Sequence, residues 1–495
     1  MDLLTTALLV GAIGILVAYF WLHRPNPKCP PSPSGAWPIV GHLLQLTADP
    51  RVKFAKFREQ CGDVYSLYLG STRVVVFNGL DVAKEVLVKQ GDDFMDRAVN
   101  YVDIASDSVN KGLASSNGPA WKEHRLFTMT VLKNFGLGKN MLAEKVQEEV
   151  NYFMELLESF QGKPKDVDSL TTTAVSNIMC SIIVGRRFDY DDQQFAQILE
   201  LIRYNLSKLK GTALLNYFPW LRFLPGDLFY CKIITKNFRE FFDIFARYYI
   251  QENEQVVGEP GNYIAAYLQE INKKVQAGEK TYLDKSNLLR CIFDLFVAGT
   301  ETTATTLGWF FLYMVNYPRV QDKVFEEISE VVGQDRAPNT QDRSKLVYTT
   351  ATIMEVQRLA SLLPFSGARV VRRDVQIAGY LIPQDSHVLI NFDTVLHDKA
   401  LWGDDADQFR PERFIASDGS LYTPDAWIPF AIGKRNCLGD SMAKLELYIF
   451  VSNIIQRFQI LPPDSKRVPP LKGCLQITHV PSPYEVRFVS RTSRL

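Results

Sequence analysis

Cys437 lies in the run Pro429-Phe430-Ala431-Ile432-Gly433-Lys434-Arg435-Asn436-Cys437-Leu438-Gly439, directly before a helical pattern that begins at residue 440. At a helix start, backbone N–H groups and the helix dipole draw a thiol toward the thiolate. Gly433 and Gly439 leave room for a large flat ligand to approach the backbone, and Arg435 offers a fixed cation for a carboxylate. Phe430 can pack against the sulfur and keep water out. One iron-bound thiolate would use all of these residues. The other cysteines, Cys29, Cys61, Cys180, Cys231, Cys291 and Cys474, form no CxxC pair. A disulfide framework or structural zinc site is therefore not expected, and a scattered, odd set suits a reducing compartment.

A second concentration of reactive side chains, Ala298-Gly299-Thr300-Glu301-Thr302-Thr303, sits inside residues 286–317, a segment apolar nearly all round and stopped by Pro318. Its length and apolarity predict a helix through the interior. A membrane span is rejected because Arg290, Asp294 and Glu301 would each cost about 2.5–3.5 kcal/mol near a bilayer centre. Gly299 costs about 1 kcal/mol against Ala in a helix, and five threonines crowd beside it. That combination predicts a local defect where something small and polar is handled. The other reading of Gly299 is helix packing through a small residue.

The elements that must position these residues are mostly helical. Apolar spacing of three and four marks residues 141–160 and 440–458, while strand signals are confined to 64–68, 73–77, 380–382 and 387–391. No repeat or second linker interrupts the chain after residue 40, so residues 41–495 read as one unit. The 55 basic and 55 acidic side chains balance, which removes any general attraction to nucleic acid. Residues 3–22 carry no charge and are long enough to cross a bilayer; Tyr19, Phe20 and Trp21 at the exit suit an interfacial belt rather than a cleavage site. Arg24, Lys28, Arg51, Lys53, Lys56 and Arg58 follow, which predicts an anchor with the body on the cytosolic side. Six prolines between 25 and 38 then predict a stiff spacer over residues 23–40.

With F-x-x-G-x-R-x-C-x-G complete at Phe430, Gly433, Arg435, Cys437 and Gly439, the sequence resembles a cytochrome P-450, a haem-thiolate monooxygenase. Glu355-Val356-Gln357-Arg358 resembles that family's E-x-x-R helix, and Pro411-Glu412-Arg413-Phe414 the segment whose Arg completes the ion-pair cluster. Ala298 to Thr303 resembles the oxygen-activation stretch, and Trp121-Lys122-Glu123-His124-Arg125 the W-x-x-x-R helix over the haem. Phe94-Met95-Asp96-Arg97, Asn134-Phe135-Gly136-Leu137-Gly138-Lys139 and the Gly433–Gly439 block look like the animal microsomal enzymes that hydroxylate drugs, steroids and fatty acids. Two positions depart from that group: Arg369 stands where many vertebrate members have a His, and Ser115 where an aromatic often lines the pocket.

The resemblance implies a mainly α fold with a small β part, one catalytic domain behind the anchor, and haem b as cofactor. It implies Cys437 as the axial iron ligand, with Arg97, Trp121, Arg125, Arg369 and Arg435 holding the propionates. Thr302 with Glu301 would order water and deliver protons in the gap at Gly299. An apolar substrate would lie against Val297, Ala298, Leu363, Phe365 and the loop from Val102 to Ser115. The implied setting is the endoplasmic reticulum membrane, with electrons from an NADPH-cytochrome reductase and with cytochrome b5 as a further partner. Two other readings are a haem-thiolate peroxide isomerase or dehydratase, and a membrane-tethered haem or steroid carrier. Intact Thr302 and Glu301 argue against the first, and a carrier has no use for proton-relay residues.

Overall fold

In the computed structural model the described residues are 26–491 apart from 47–48, 138–139, 257 and 465–466, together with isolated positions 5, 11 and 14. The anchor expected at residues 3–22 thus lies outside the described residues. Among those that are described, no helix is long and apolar enough to cross a membrane. Part of the proline-rich stretch lies along the body: Ser66 N donates to Pro31 O at 2.8 Å and Leu381 N to Lys28 O at 2.7 Å.

The elements that build the site run in chain order as β1 (Val64–Leu69), β2 (Thr72–Asn78), β3 (Asp96–Arg97), α1 (Tyr101–Ala105), α2 (Gly118–Leu132), α3 (Asn140–Ser159), α4 (Val167–Ile183), α5 (Cys231–Ile244), α6 (Lys285–Asn316), α7 (Val347–Ala360), β4 (Arg369–Val370), β5 (His387–Asn391) and α8 (Asp440–Arg457). Further helices and short strands fill the spaces between them. Strand and helix signals therefore fall where the apolar periodicity put them, including the short strand Tyr380–Ile382. The main sheet has the order β1-β2-β5-β4-β3, with β2 and β5 parallel and the other pairs antiparallel. Register sets Val75 beside Val388 and Arg97 beside Arg369. The inner faces of β2 and β5 (Val75, Phe77, Val388, Ile390) make one apolar cluster, and α3, α4, α5, α6 and α8 enclose a larger one.

α6 is the axis of that larger cluster. It opens at Asp284, whose carboxylate accepts from Asn287 N, and ends before Pro318, as a ring without an N–H requires. The defect expected at Gly299 is absent: the helix is continuous through it. A Cβ at Gly299 would sit 2.3 Å from Met179 Sδ on α4, so the glycine serves the close approach of two helices. Packing wins over local helix preference here because the approach buries apolar surface along both helices, against a cost of about 1 kcal/mol for one glycine.

Glu355 and Arg358, both fully buried on α7, form the pair anticipated from E-x-x-R. Arg358 donates Nε to Glu355 Oε2 at 2.7 Å and Nη2 to Oε1 at 2.9 Å, and Arg413 Nε adds a bond to Oε1 at 3.0 Å. The remaining donors reach the carbonyls of Leu396, Ala406 and Trp402, and Asp405 supplies the second negative charge. Two buried cations meet two anions with every fork used, and the exposed Arg410 adds a contact to Asp405 at 2.8 Å, so the cluster is structural. Glu355→Ala would leave the buried Arg358 without an anion, while Arg413 keeps Asp405; it should lower stability by about 3–5 kcal/mol, read as a fall in the thermal unfolding midpoint.

Candidate functional site

The loop before α8 is folded back on itself by Asn436 N donating to Gly433 O at 3.1 Å and Cys437 N to Phe430 O at 2.9 Å. Gly433 has φ +82°, and a Cβ there would lie 2.0 Å from Leu87 O. That glycine therefore seats the loop against backbone instead of making room for a ligand, which corrects the reading from spacing. Gly439 does face open space, with no heavy atom within 4 Å of where its Cβ would be, and it caps α8. Cys437 is accessible yet walled by protein on most sides. The expected drop in its pKa does not appear. Burial pushes the thiol up, while the Gly439 N–H, Arg125 and Lys444 pull it down by less. The Phe430 ring meets Trp427 edge-on at 6.0 Å beside this loop, with Lys444 over it at 5.0 Å.

Three arginines from distant parts of the chain converge next to the loop. Arg97 and Arg369 are direct partners across β3 and β4, an arrangement that like charges disfavour. Arg435 stacks over the buried Trp121 ring at 3.9 Å, donating Nε to Met95 O at 3.1 Å and Nη2 to Ser116 O at 2.6 Å. Arg97 Nη1 donates to Gly367 O and Arg369 Nη1 to Phe94 O, both at 3.0 Å, while Arg369 Nε is buried with no partner. No carboxylate pairs with any of the three among the described residues, since nearby Asp96 is taken by Arg372. Burial and Arg97 push the Arg369 guanidinium down to about 9. Burial, then Arg97 and Arg369, do the same to Arg435. A cluster with so much excess positive charge and an orphaned donor fits a ligand carrying two carboxylates. Arg125 is placed differently, with Nη1 and Nη2 donating to Asn436 O at 3.1 Å and Asn436 Oδ1 at 2.7 Å. It braces the Cys437 loop.

On α6, every residue from 291 to 315 is buried except 297–299, 301 and 302, so the helix borders open space there. Ala298 is exposed, and Thr302 Oγ1 donates to its carbonyl at 2.7 Å. Glu301 turns the other way. Its Oε1 accepts from Thr478 Oγ1 at 2.9 Å and Thr305 Oγ1 at 3.5 Å, and burial raises its carboxyl above the usual range. Leu363 is exposed and Phe365 half-buried. Two residues not found from sequence complete the site. Asn117, at the start of α2, does not cap that helix; its Oδ1 accepts from Arg97 N at 2.7 Å and Arg435 Nη2 at 3.2 Å. Its partners lie 20 and 318 residues away, separations that local spacing does not convey. Thr478 carried no signal, being 177 residues from its partner.

A family model described as Cytochrome P450 matches residues 30–488. Among similar curated proteins, cytochrome P450 2J2 of Homo sapiens is 37% identical over 470 residues, covering 93% of this chain and 91% of its own. Cytochrome P450 2B2 of Rattus norvegicus is 36% identical with 99% of each covered, and cytochrome P450 2H1 of Gallus gallus 33% identical with 99% of each covered.

The open arginine cluster makes a signed prediction. In protein prepared without cofactor, Arg369→Met removes one of three repelling charges and should raise the thermal midpoint, because the downward shift of Arg369 measures a cost already present in the fold. In the loaded protein the same change should speed cofactor loss to apomyoglobin. A lower midpoint without cofactor would mean the three charges do not repel.

Proposed function

The chain belongs to the cytochrome P450 family, a family of haem-thiolate monooxygenases that bind protohaem through a cysteine, and from that premise we propose that Cys437 is the iron ligand, that Arg97, Arg369 and Arg435 hold the two propionates, and that Thr302 and Glu301 handle protons on the opposite face. The observation that carries this reading is the uncompensated arginine trio beside an accessible cysteine. Trp121 supports Arg435 from below, Arg125 holds the Cys437 loop through Asn436, Phe430 screens the loop, Gly433 seats it on Leu87, and Gly439 leaves α8 open toward the ligand. When bound, the haem supplies the electron transfer and oxygen activation that no side chain of the chain can supply.

The remaining work falls to the polypeptide. Thr302 spends its own proton on Ala298 O, which leaves the hydroxyl oxygen as an acceptor that can hold a water in place. Glu301 would be the proton reserve, since burial raises its carboxyl; Thr478 and Thr305 hold it away from the open side, so it would serve Thr302 only by leaving those two bonds. Val297, Ala298, Leu363, Phe365 and the apolar side chains of the loop from Val102 to Ser115 would form a wall that favours a lipophilic steroid, fatty acid or xenobiotic. Residues 3–22 serve as the anchor in the endoplasmic reticulum membrane and 23–40 as the spacer, with 41–495 as the catalytic domain facing the cytosol. Electrons come from a membrane NADPH-cytochrome reductase, with cytochrome b5 as a further donor. The uncharged run and the basic residues after it support this placement.

Cys437→Ser should abolish the reduced carbon-monoxide Soret band of a thiolate-ligated haem, whereas alanine at Cys29, Cys61, Cys180, Cys231, Cys291 or Cys474 should keep it. A retained band in Cys437→Ser would sink the assignment. Thr302→Ala should leave haem content, that band and the substrate-induced spin change intact, while lowering product formed per NADPH several-fold and raising hydrogen peroxide release. The effect is bounded because water can stand in for a lost hydroxyl. Unchanged coupling in a reductase-reconstituted assay would remove Thr302 from the relay.

A further inference from the structure

Between α6 and the loop over the site lies a buried ion cluster that none of the roles above uses. Arg290 on α6 donates Nε to Asp294 Oδ1 at 3.0 Å, and its Nη1 stands 3.3 Å from Asp103 Oδ1 on α1. All three side chains are under 9% exposed. The Arg290 guanidinium also lies 5.7 Å from the Phe238 ring of α5 and 3.4 Å from Ser115 Oγ. One cation therefore touches α1, α5, α6 and the end of the loop.

The two ends of the loop are held very differently. At residues 112–114 the backbone itself is clamped: Leu113 N and Ala114 N donate to Asp294 Oδ2 at 2.8 and 2.9 Å, and Gly112 N to Asn287 Oδ1 at 3.1 Å. Gly112, at φ +76°, lies so close that a Cβ would meet Arg290 Cγ and Asp294 Oδ2 at 2.5 Å. α1 has one such bond, at its first residue, where Tyr101 N donates to Asn216 Oδ1 at 2.7 Å. The helix is five residues long, too short to be stable alone. Ile104 faces outward at 57% exposure, and a cavity of about 450 Å³ lined by Tyr101, Ala105, Phe223 and Leu228 lies on its outer side. On the inner side only Val102 and Asp103 are buried. Beside the packing of Val102, the ion pair of Asp103 with Arg290 is the inward tie of α1.

We propose that Arg290 and Asp103 are positioning residues that hold α1 as the inner wall of the substrate cavity and so set the size of ligand the site admits. The proposal rests on the reading of residues 102–115 as that wall. It adds what holds the wall, and a consequence for selectivity. Charge counting indicates how to test it without unfolding the protein. The cluster holds one cation and two anions, so Asp103→Asn leaves Arg290 and Asp294 balanced, and the fold should survive while α1 loses its charged tie.

Two measurements on the full-length holoprotein decide the matter. Amide hydrogen exchange across residues 101–110 should accelerate about tenfold in Asp103→Asn while α2 and α6 keep their protection. Optical titration with imidazole and with 4-phenylimidazole should show the larger ligand gaining several-fold relative to the smaller. Arg290→Lys, which keeps the charge on a different head, should give smaller changes of the same sign. Faster exchange with an unchanged ligand ratio would reduce the pair to loop packing, and unchanged exchange would overturn the tie itself. If the unaltered protein showed no imidazole response, the haem-site reading would fail instead, and the exchange result, which needs no cofactor, would still decide the tie.

Discussion

Arg97 and Arg369 stand opposite each other on paired strands with Arg435 close by, and among the described residues no carboxylate pairs with them, Asp96 being taken by Arg372. Such an arrangement is costly in a protein interior, and the surrounding fold is built so that it persists. β3 and β4 fix two of the cations by main-chain pairing, while Trp121, Met95 and Ser116 fix the third. The second arginine cluster of the same chain shows what the balanced case looks like. Around Glu355 the two buried guanidinium forks are filled, and each buried cation has a carboxylate partner. One cluster is complete without a ligand and the other is not, and that difference locates the site more sharply than any cavity outline.

α6 links the site to the rest of the molecule by using each stretch of its length for a different purpose. Its first turns carry Asn287, Arg290 and Asp294, which grip the loop over the site. Its middle carries Gly299 against Met179, with Ala298 and Thr302 facing open space beside it, and its last turns are apolar core. Because the middle is a continuous helix, the position of Thr302 follows from the packing of α4 against Gly299. A small shift of α4 would carry the hydroxyl with it.

Much of this was legible in the chain. Period-two and period-3.6 patterns located four of the strands and three of the long helices but not the strands at Phe458–Leu461 and Glu485–Ser490, and the block around Cys437 marked the candidate site. What sequence spacing could not convey was direction and partner. The helix-breaking look of Gly299 reads as a defect until the Met179 side chain is in view. Gly433 reads as ligand space until Leu87 O appears 2.0 Å from where its Cβ would be. Cys437 at a helix start suggests a lowered pKa, yet desolvation outweighs the dipole. Asn117 and Thr478 were missed for the same reason: each acts on a group brought near only by tertiary folding.

The contact of Gly433 with Leu87, like the bond from Arg435 to Met95 across 340 residues, bears on when the protein can acquire its cofactor. At about 5–20 residues per second, the ribosome releases the second half of each contact roughly 17–70 s after the first. For most of that interval β3 is without β4, and throughout it the thiol that would hold the iron has not been made. With Cys437 as the proposed iron ligand, a nascent chain that has not reached residue 437 would lack it. On that reading cofactor capture would report on finished synthesis, and any cellular factor that shelters the chain beforehand would have to cover arginines that no carboxylate pairs.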